Sequence, residues 1–156
     1  RITDAMGSED PVAALVERGA AHLTFTDADF LNGPAHAARV VDAVHGAFPS
    51  LSFDLTARID HLLAAGELLG RFAVAGCVLV TSAVESFDDA TLAWLGKDHR
   101  AADVAGAVAA CRAAGIAFNP TFVPFTPWTT PASCASSTNW AMMAGLCRRT
   151  SPAGRT

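Results

Sequence analysis

Apolar positions along the chain fall into alternating runs of two periods, one helical and one extended. From Pro11 onward Val12, Leu15 and Val16 share one helix face, with Ser8, Glu9 and Asp10 as the cap and Gly19 as the stop. His22 to Thr26 reads as a short strand. Pro34 opens a second helix with Ala37, Val40, Val41 and Val44 on one face, and Pro49 breaks it. Leu51 to Leu55 is the next strand, followed by a helix carrying Leu62, Leu63, Leu68, Leu69 and Phe72 up to Gly76. Cys77 to Val80 is a continuous apolar run, expected as a strand buried on both faces. It gives way to Thr81, Ser82, Glu85 and Ser86. Ser86 precedes Asp89 at capping-box spacing, the expected start of a short helix with Leu92 and Leu95 that Gly96 ends. Beyond the loop Lys97-Asp98-His99, a helix from about Ala101 to Ala114 presents Val104, Val108 and Cys111. Ile116 to Phe122 is the fourth strand.

A helix followed by β-α-β-α-β-α-β with short connections predicts an α/β fold with a parallel sheet. Four strands are too few to close an eight-stranded barrel, so the alternatives are a small open sheet or a partial barrel. The run Val123 to Thr130 contains two prolines and is expected beyond the sheet, as a wall over a pocket. Residues 1–130 therefore form the folded unit. Residues 131–156, with clustered Ser, Thr, Cys and Arg and little periodicity, read as an irregular or truncated tail.

The chain has 156 residues, enough for one domain with a real core. All fifteen acidic residues lie between Asp4 and Asp103, and the net charge is −4. That balance, without a basic stripe, argues against a nucleic-acid partner. No apolar run is long enough for a membrane span, and no signal peptide is evident. Cys77, Cys111, Cys134 and Cys147 show no paired close spacing and read as reduced structural thiols, which suits a cytoplasmic protein.

If the sheet is parallel, its polar strand ends share one rim. They comprise Thr26, Asp27 and Asp29; Asp54, Thr56 and Arg58; Ser82 and Glu85; and Asn119, Thr121 and Thr126. Carboxylates and hydroxyls suit an ammonium and a ribose, while Arg58 or Lys97 suits a carboxylate. Plainer roles exist beside these. Asp27 or Asp29 equally shapes the turn before Asn32-Gly33-Pro34, and Arg58 pairs naturally with Asp60 or Asp54. Lys97 after Gly96 complements a helix dipole. His22, His36, His45, His61 and His99 lack metal-ligand spacing and read as structural or exposed.

Five stretches in order resemble successive motifs of the radical S-adenosylmethionine (SAM) superfamily, nearest its cobalamin-binding and methylthiotransferase-like branch. They are Phe25-Thr-Asp-Ala-Asp-Phe-Leu31, Thr56-Ala-Arg-Ile-Asp60, Thr81-Ser-Ala-Val-Glu-Ser86, Leu95-Gly-Lys97 and Pro120-Thr-Phe-Val-Pro-Phe-Thr-Pro-Trp128. The resemblance covers roughly residues 8–130. It implies the second to fifth strands of a partial (β/α)6 TIM-type barrel that binds SAM. Thr26, Asp27 and Asp29 would meet the methionine amino group, and Asp54, Arg58, Ser82 and Glu85 would line the SAM site. Lys97 would approach the SAM carboxylate, and the turn around Phe125-Thr-Pro127 would border the adenine.

The family's Cys-x3-Cys-x2-Cys motif for its [4Fe–4S] cluster is not in this sequence and is expected upstream of Arg1, in a full-length parent. The first functional reading is therefore a fragment of an enzyme that cleaves SAM reductively to start hydrogen abstraction on an unknown substrate, inactive as this chain alone. The second is a cluster-free SAM-binding or interaction module. The third is a TIM-barrel-like lyase or hydrolase with Asp27 and Glu85 as acid and base.

Overall fold

The computed structural model describes residues 11–123 and 125–130. The cap expected at Ser8 to Asp10, the tail at 131–156 and the cysteines within that tail lie outside the described residues. The elements run α1 (Pro11–Glu17), β1 (His22–Thr24), α2 (Pro34–Ala47), β2 (Ser52–Thr56), α3 (Ile59–Ala64), α4 (Leu68–Val74), β3 (Cys77–Glu85), α5 (Asp89–Trp94), α6 (Ala101–Ala113) and β4 (Ala117–Phe122). The four strands form one sheet in the order β1-β2-β3-β4, and every neighbouring pair is parallel. The α/β class and the partial-barrel arrangement of β-α units expected from the sequence are thus what the chain adopts.

Alternation along β2 explains how the sheet is seated. Phe53 and Leu55 are buried while Ser52, Asp54 and Thr56 are not, so one face carries the core and the other carries polar groups. The core side is packed by α2, α3, α4 and α6 through Val41, Ile59, Leu62, Leu69, Phe72, Val104 and Cys111. A run of aromatic rings threads it. Phe25 stacks on Phe30 at 4.5 Å, and Phe53 meets Phe25 at 5.4 Å and Phe72 at 6.3 Å, edge-on.

Four expectations need correction. The strand at Cys77 is covered on one face only: Cys77 and Val80 are buried, but Val78 is 36% exposed. It also continues through Thr81 and Ser82 to Glu85, because Thr81 pairs with both neighbouring strands and Ser82 with β4 as readily as valine would. The single helix expected to carry Leu62, Leu63, Leu68, Leu69 and Phe72 is two helices, parted at Gly66, whose φ of +51° suits glycine and stops a helix. The cap of α5 is Asp88, whose carboxylate accepts from Thr91 N at 3.0 Å, rather than Ser86. The Ser86 hydroxyl instead accepts the Asp88 amide at 3.1 Å and shapes the turn before the cap.

Gly76 is where β3 enters the sheet. Its φ is +103°, and a Cβ there would lie 2.6 Å from the Leu51 carbonyl oxygen. Its own carbonyl accepts the Phe53 amide at 2.9 Å. Backbone approaches backbone so closely that only glycine fits.

Candidate functional site

Parallel pairing sends the C-terminal ends of all four strands to the same edge. A cleft of about 140 Å³ opens there, lined by Ala28, Thr56, Arg58, Ala83, Lys97 and His99 among others. Each lining segment is placed by a local device. Arg58 directly precedes α3, and its amide donates to Asp29 Oδ1 at 3.3 Å, which ties the loop after β2 to the loop after β1. The Asp29 amide in turn donates to Asp27 Oδ1 at 2.9 Å, the Asx-type turn that two aspartates at this spacing form. Beneath the cleft, the fully buried Ser82 hydroxyl donates to the Ala57 carbonyl at 2.6 Å and fixes the chain just before Arg58.

The loop between α5 and α6 supplies Lys97 and His99. Lys97 Nζ lies 2.8 Å from Glu85 Oε1. His99 is buried, with Nε2 3.3 Å from the Val84 carbonyl oxygen. Two successive residues at the end of β3 thus receive two residues of one loop. Glu85 is the one non-glycine among the described residues with positive φ, at +64°. It sits where the β3–β4 register slips, and its carbonyl accepts Val123 N at 2.9 Å.

Arg58 is held from two sides. Nε donates to Asp60 Oδ1 at 2.9 Å and Nη2 to Asp60 Oδ2 at 3.2 Å, and Nη2 also meets Asp98. These bonds hold the guanidinium well above its ordinary pKa, with Asp60 first and Asp98 second. Partial burial is the largest single influence on Asp60 and pushes it up. The hydrogen bond and charge of Arg58 together outweigh it, so the carboxyl is held below its ordinary value.

The eight expected site residues separate accordingly. Arg58 and Lys97 line the cleft, and Glu85 and Asp29 bond to them directly. Asp27 joins through the turn it makes with Asp29, and Thr26 is exposed beside it. Ser82 supports the lining from within the core. Asp54 is drawn elsewhere: Oδ2 takes His22 Nε2 at 2.7 Å and the Thr24 hydroxyl at 2.9 Å, two residues below Thr56 on the open face. Of the Val123–Thr130 run, expected as a wall, no described residue lines this cleft. Trp128 rests on Trp94 of α5 at 5.4 Å instead.

Three residues passed over in the sequence belong here. His61 Nδ1 lies 2.8 Å from Asp29 Oδ2 without forming a hydrogen bond to it, so the nitrogen is buried beside the carboxylate. Asp98 clamps Arg58 across 40 residues of sequence. His99 anchors the Lys97 loop. The one sequence signal for the last two is adjacency to Lys97.

Similarity to solved structures adds the context. OxsB, a cobalamin-dependent SAM radical enzyme determined with aqua-cobalamin and SAM, superposes with a TM-score of 0.68 at 18% identity over 83% of this chain and 20% of its own. TsrM from Kitasatospora setae, a radical SAM methyltransferase with tryptophan and aza-SAM bound, gives 0.65 at 20% identity over 85% of this chain and 27% of its own. Elp3 from Methanocaldococcus infernus, with an N-terminal deletion, gives 0.61 at 13% identity over 83% and 36%. The fold is that of radical SAM enzymes. The chain spans about a fifth of the OxsB chain. No protein-family model matches the sequence, and no curated protein does.

Against that fold, the fit of a [4Fe–4S] cluster is tested by the thiols. Cys77 and Cys111 are fully buried, and burial pushes them up to about 12 and about 11. Cluster ligation needs accessible thiolates grouped around one point. No group of three or more His, Cys, Asp or Glu side chains among the described residues suits a metal. The described residues do not fit a cluster, and no redox step is assigned to them.

Proposed function

We propose that this chain is the SAM-binding part of a radical SAM enzyme, and that its cleft takes the amino-acid end of SAM. The observation carrying this reading is the convergence of Lys97, Arg58, Glu85 and Asp29 at the C-terminal edge of a parallel sheet, where α/β folds gather ligand groups. Size supports the choice of end. Ligand pockets usually measure roughly 300–1,000 Å³, so a cleft of about 140 Å³ suits one portion of a nucleoside-sized molecule. Lys97 would meet the carboxylate, and Asp27 and Asp29 the ammonium. Ser82 and His99 act through the segments they hold, as positioning residues.

Reductive cleavage of SAM and hydrogen abstraction from a substrate are assigned to the full enzyme, whose cluster supplies the electron when present. A small-molecule substrate is the expected partner, and no helix among the described residues is long and apolar enough to cross a membrane. The buried free thiols suit a cytoplasmic setting. Isothermal titration of the purified chain with SAM, in iron-free buffer, tests the reading. Binding that weakens at least tenfold in Asp29→Asn and in Lys97→Met supports it. A folded wild-type chain that gives no SAM binding removes it.

A further inference from the structure

We infer that Glu85 is a displaceable internal counter-ion, holding Lys97 in the place that a ligand's carboxylate takes on binding. Both cations lining the cleft are already paired with protein carboxylates, so an incoming anion has to exchange with one of them. The two pairs differ in how they are held. Arg58 makes a two-bond fork with Asp60 and a further contact with Asp98, and the rigid guanidinium gives up such a fork reluctantly. Lys97 makes a single ion pair among the described residues, with Glu85 at 2.8 Å. Its ammonium is a compact charge without directional demand, and lysine exchanges one carboxylate for another with little rearrangement. Lys97 is also the single lysine of the sequence.

The surroundings favour exchange at this point. His99 ties the loop to the Val84 carbonyl at 3.3 Å, so Lys97 keeps its place when Glu85 lets go. The Glu85 backbone is fixed by Val123 N at 2.9 Å, so departure of its carboxylate is a side-chain rotation alone. Both side chains are partly open, Lys97 at 29% and Glu85 at 17% of full exposure. One ion pair replaces another, so Lys97 keeps a carboxylate partner throughout, and the freed Glu85 carboxylate becomes an acceptor for the ligand's ammonium. A positive φ of +64° on a glutamate, a position that glycine would hold without strain, marks the site as kept for the side chain.

The exchange rests on the SAM reading only for the identity of the ligand. The first measurement therefore uses none. Acylation of Lys97 by an amine-reactive ester, mapped by mass spectrometry, is expected to run about fivefold faster in Glu85→Gln than in wild type. Acetate is expected to slow it more in the variant. Glu85→Gly, which also relieves the positive φ, serves as the second variant and is expected to match, with melting curves confirming that both fold. The second measurement titrates SAM and decarboxylated SAM: Glu85→Gln should raise the ratio of their affinities about threefold or more, and Lys97→Met should bring it near one. Unchanged Lys97 labelling in both variants overturns the exchange, as does equal weakening of the two ligands. Faster labelling without any SAM binding sustains the exchange and removes the SAM reading instead.

Discussion

The β1–β2 ladder and the C-terminal edge of the sheet both carry polar groups and use them differently. On the open face between β1 and β2, His22 Nδ1 meets Ser52 Oγ at 2.9 Å, and His22 and Thr24 both reach Asp54. Every one of those groups is borne on a strand and finds its partner on the next, so the network stitches β1 to β2. At the C-terminal end the polar groups sit on loops, and Arg58, Lys97 and Asp29 are held by residues distant in sequence around an open volume. Polarity alone does not make a site. Groups that satisfy one another across a ladder leave nothing for a ligand, whereas groups fixed by neighbours but facing a cleft do.

The comparison is sharpened by variants that separate the two regions. Beneath both regions lies the shared core, and Phe72→Ala should cost about 3–5 kcal/mol by chemical denaturation through the cavity it leaves. Gly76→Ala at the N-terminal end should cost about 2–3 kcal/mol, because the added Cβ meets the Leu51 oxygen and φ is positive. Asp54→Asn should cost about 1 kcal/mol by weakening the His22 and Thr24 bonds, while SAM binding by calorimetry stays within twofold of wild type. A large loss of binding in that variant would put Asp54 back at the cleft.

The smallest expected effect is a pH dependence. Asp88 is held below its ordinary value first by its side-chain bond with Thr91, and Asp60 by Arg58 against burial. A carboxyl lowered in the folded state stabilises above its unfolded value and loses that contribution as pH falls through the folded one. Stability should therefore be flat from neutral pH downward and decline below about 3.8, the ordinary value of both groups. Asp60→Asn with Asp88→Asn should shrink that decline in acid denaturation.

What was legible in the sequence was what repeats. Apolar periodicity gave the strands in their order, and parallel pairing then gathered the strand ends on one edge. Long-range pairing was not legible. Asp54 looks like any strand-end carboxylate, and its partner is decided by His22 and Thr24 on the neighbouring strand. Asp98 and His61 join the site through contacts that no spacing encodes. Thr81 and Ser82 read as the strand's polar tip, yet they lie inside β3, because the sheet's open face tolerates hydroxyls and the core accepts Ser82 once its hydroxyl donates to the Ala57 carbonyl. Gly66 breaks a helix that apolar spacing alone would have continued.

The most direct measurement is a titration of isotope-labelled chain with SAM, followed by amide chemical shifts. Shifts confined to Ala28, Arg58, Ala83 and the loop of Lys97, with His22 and Ser52 unmoved, are the result expected if the two regions divide the work as described. Perturbations centred on His22, Ser52 and Asp54 instead would contradict it.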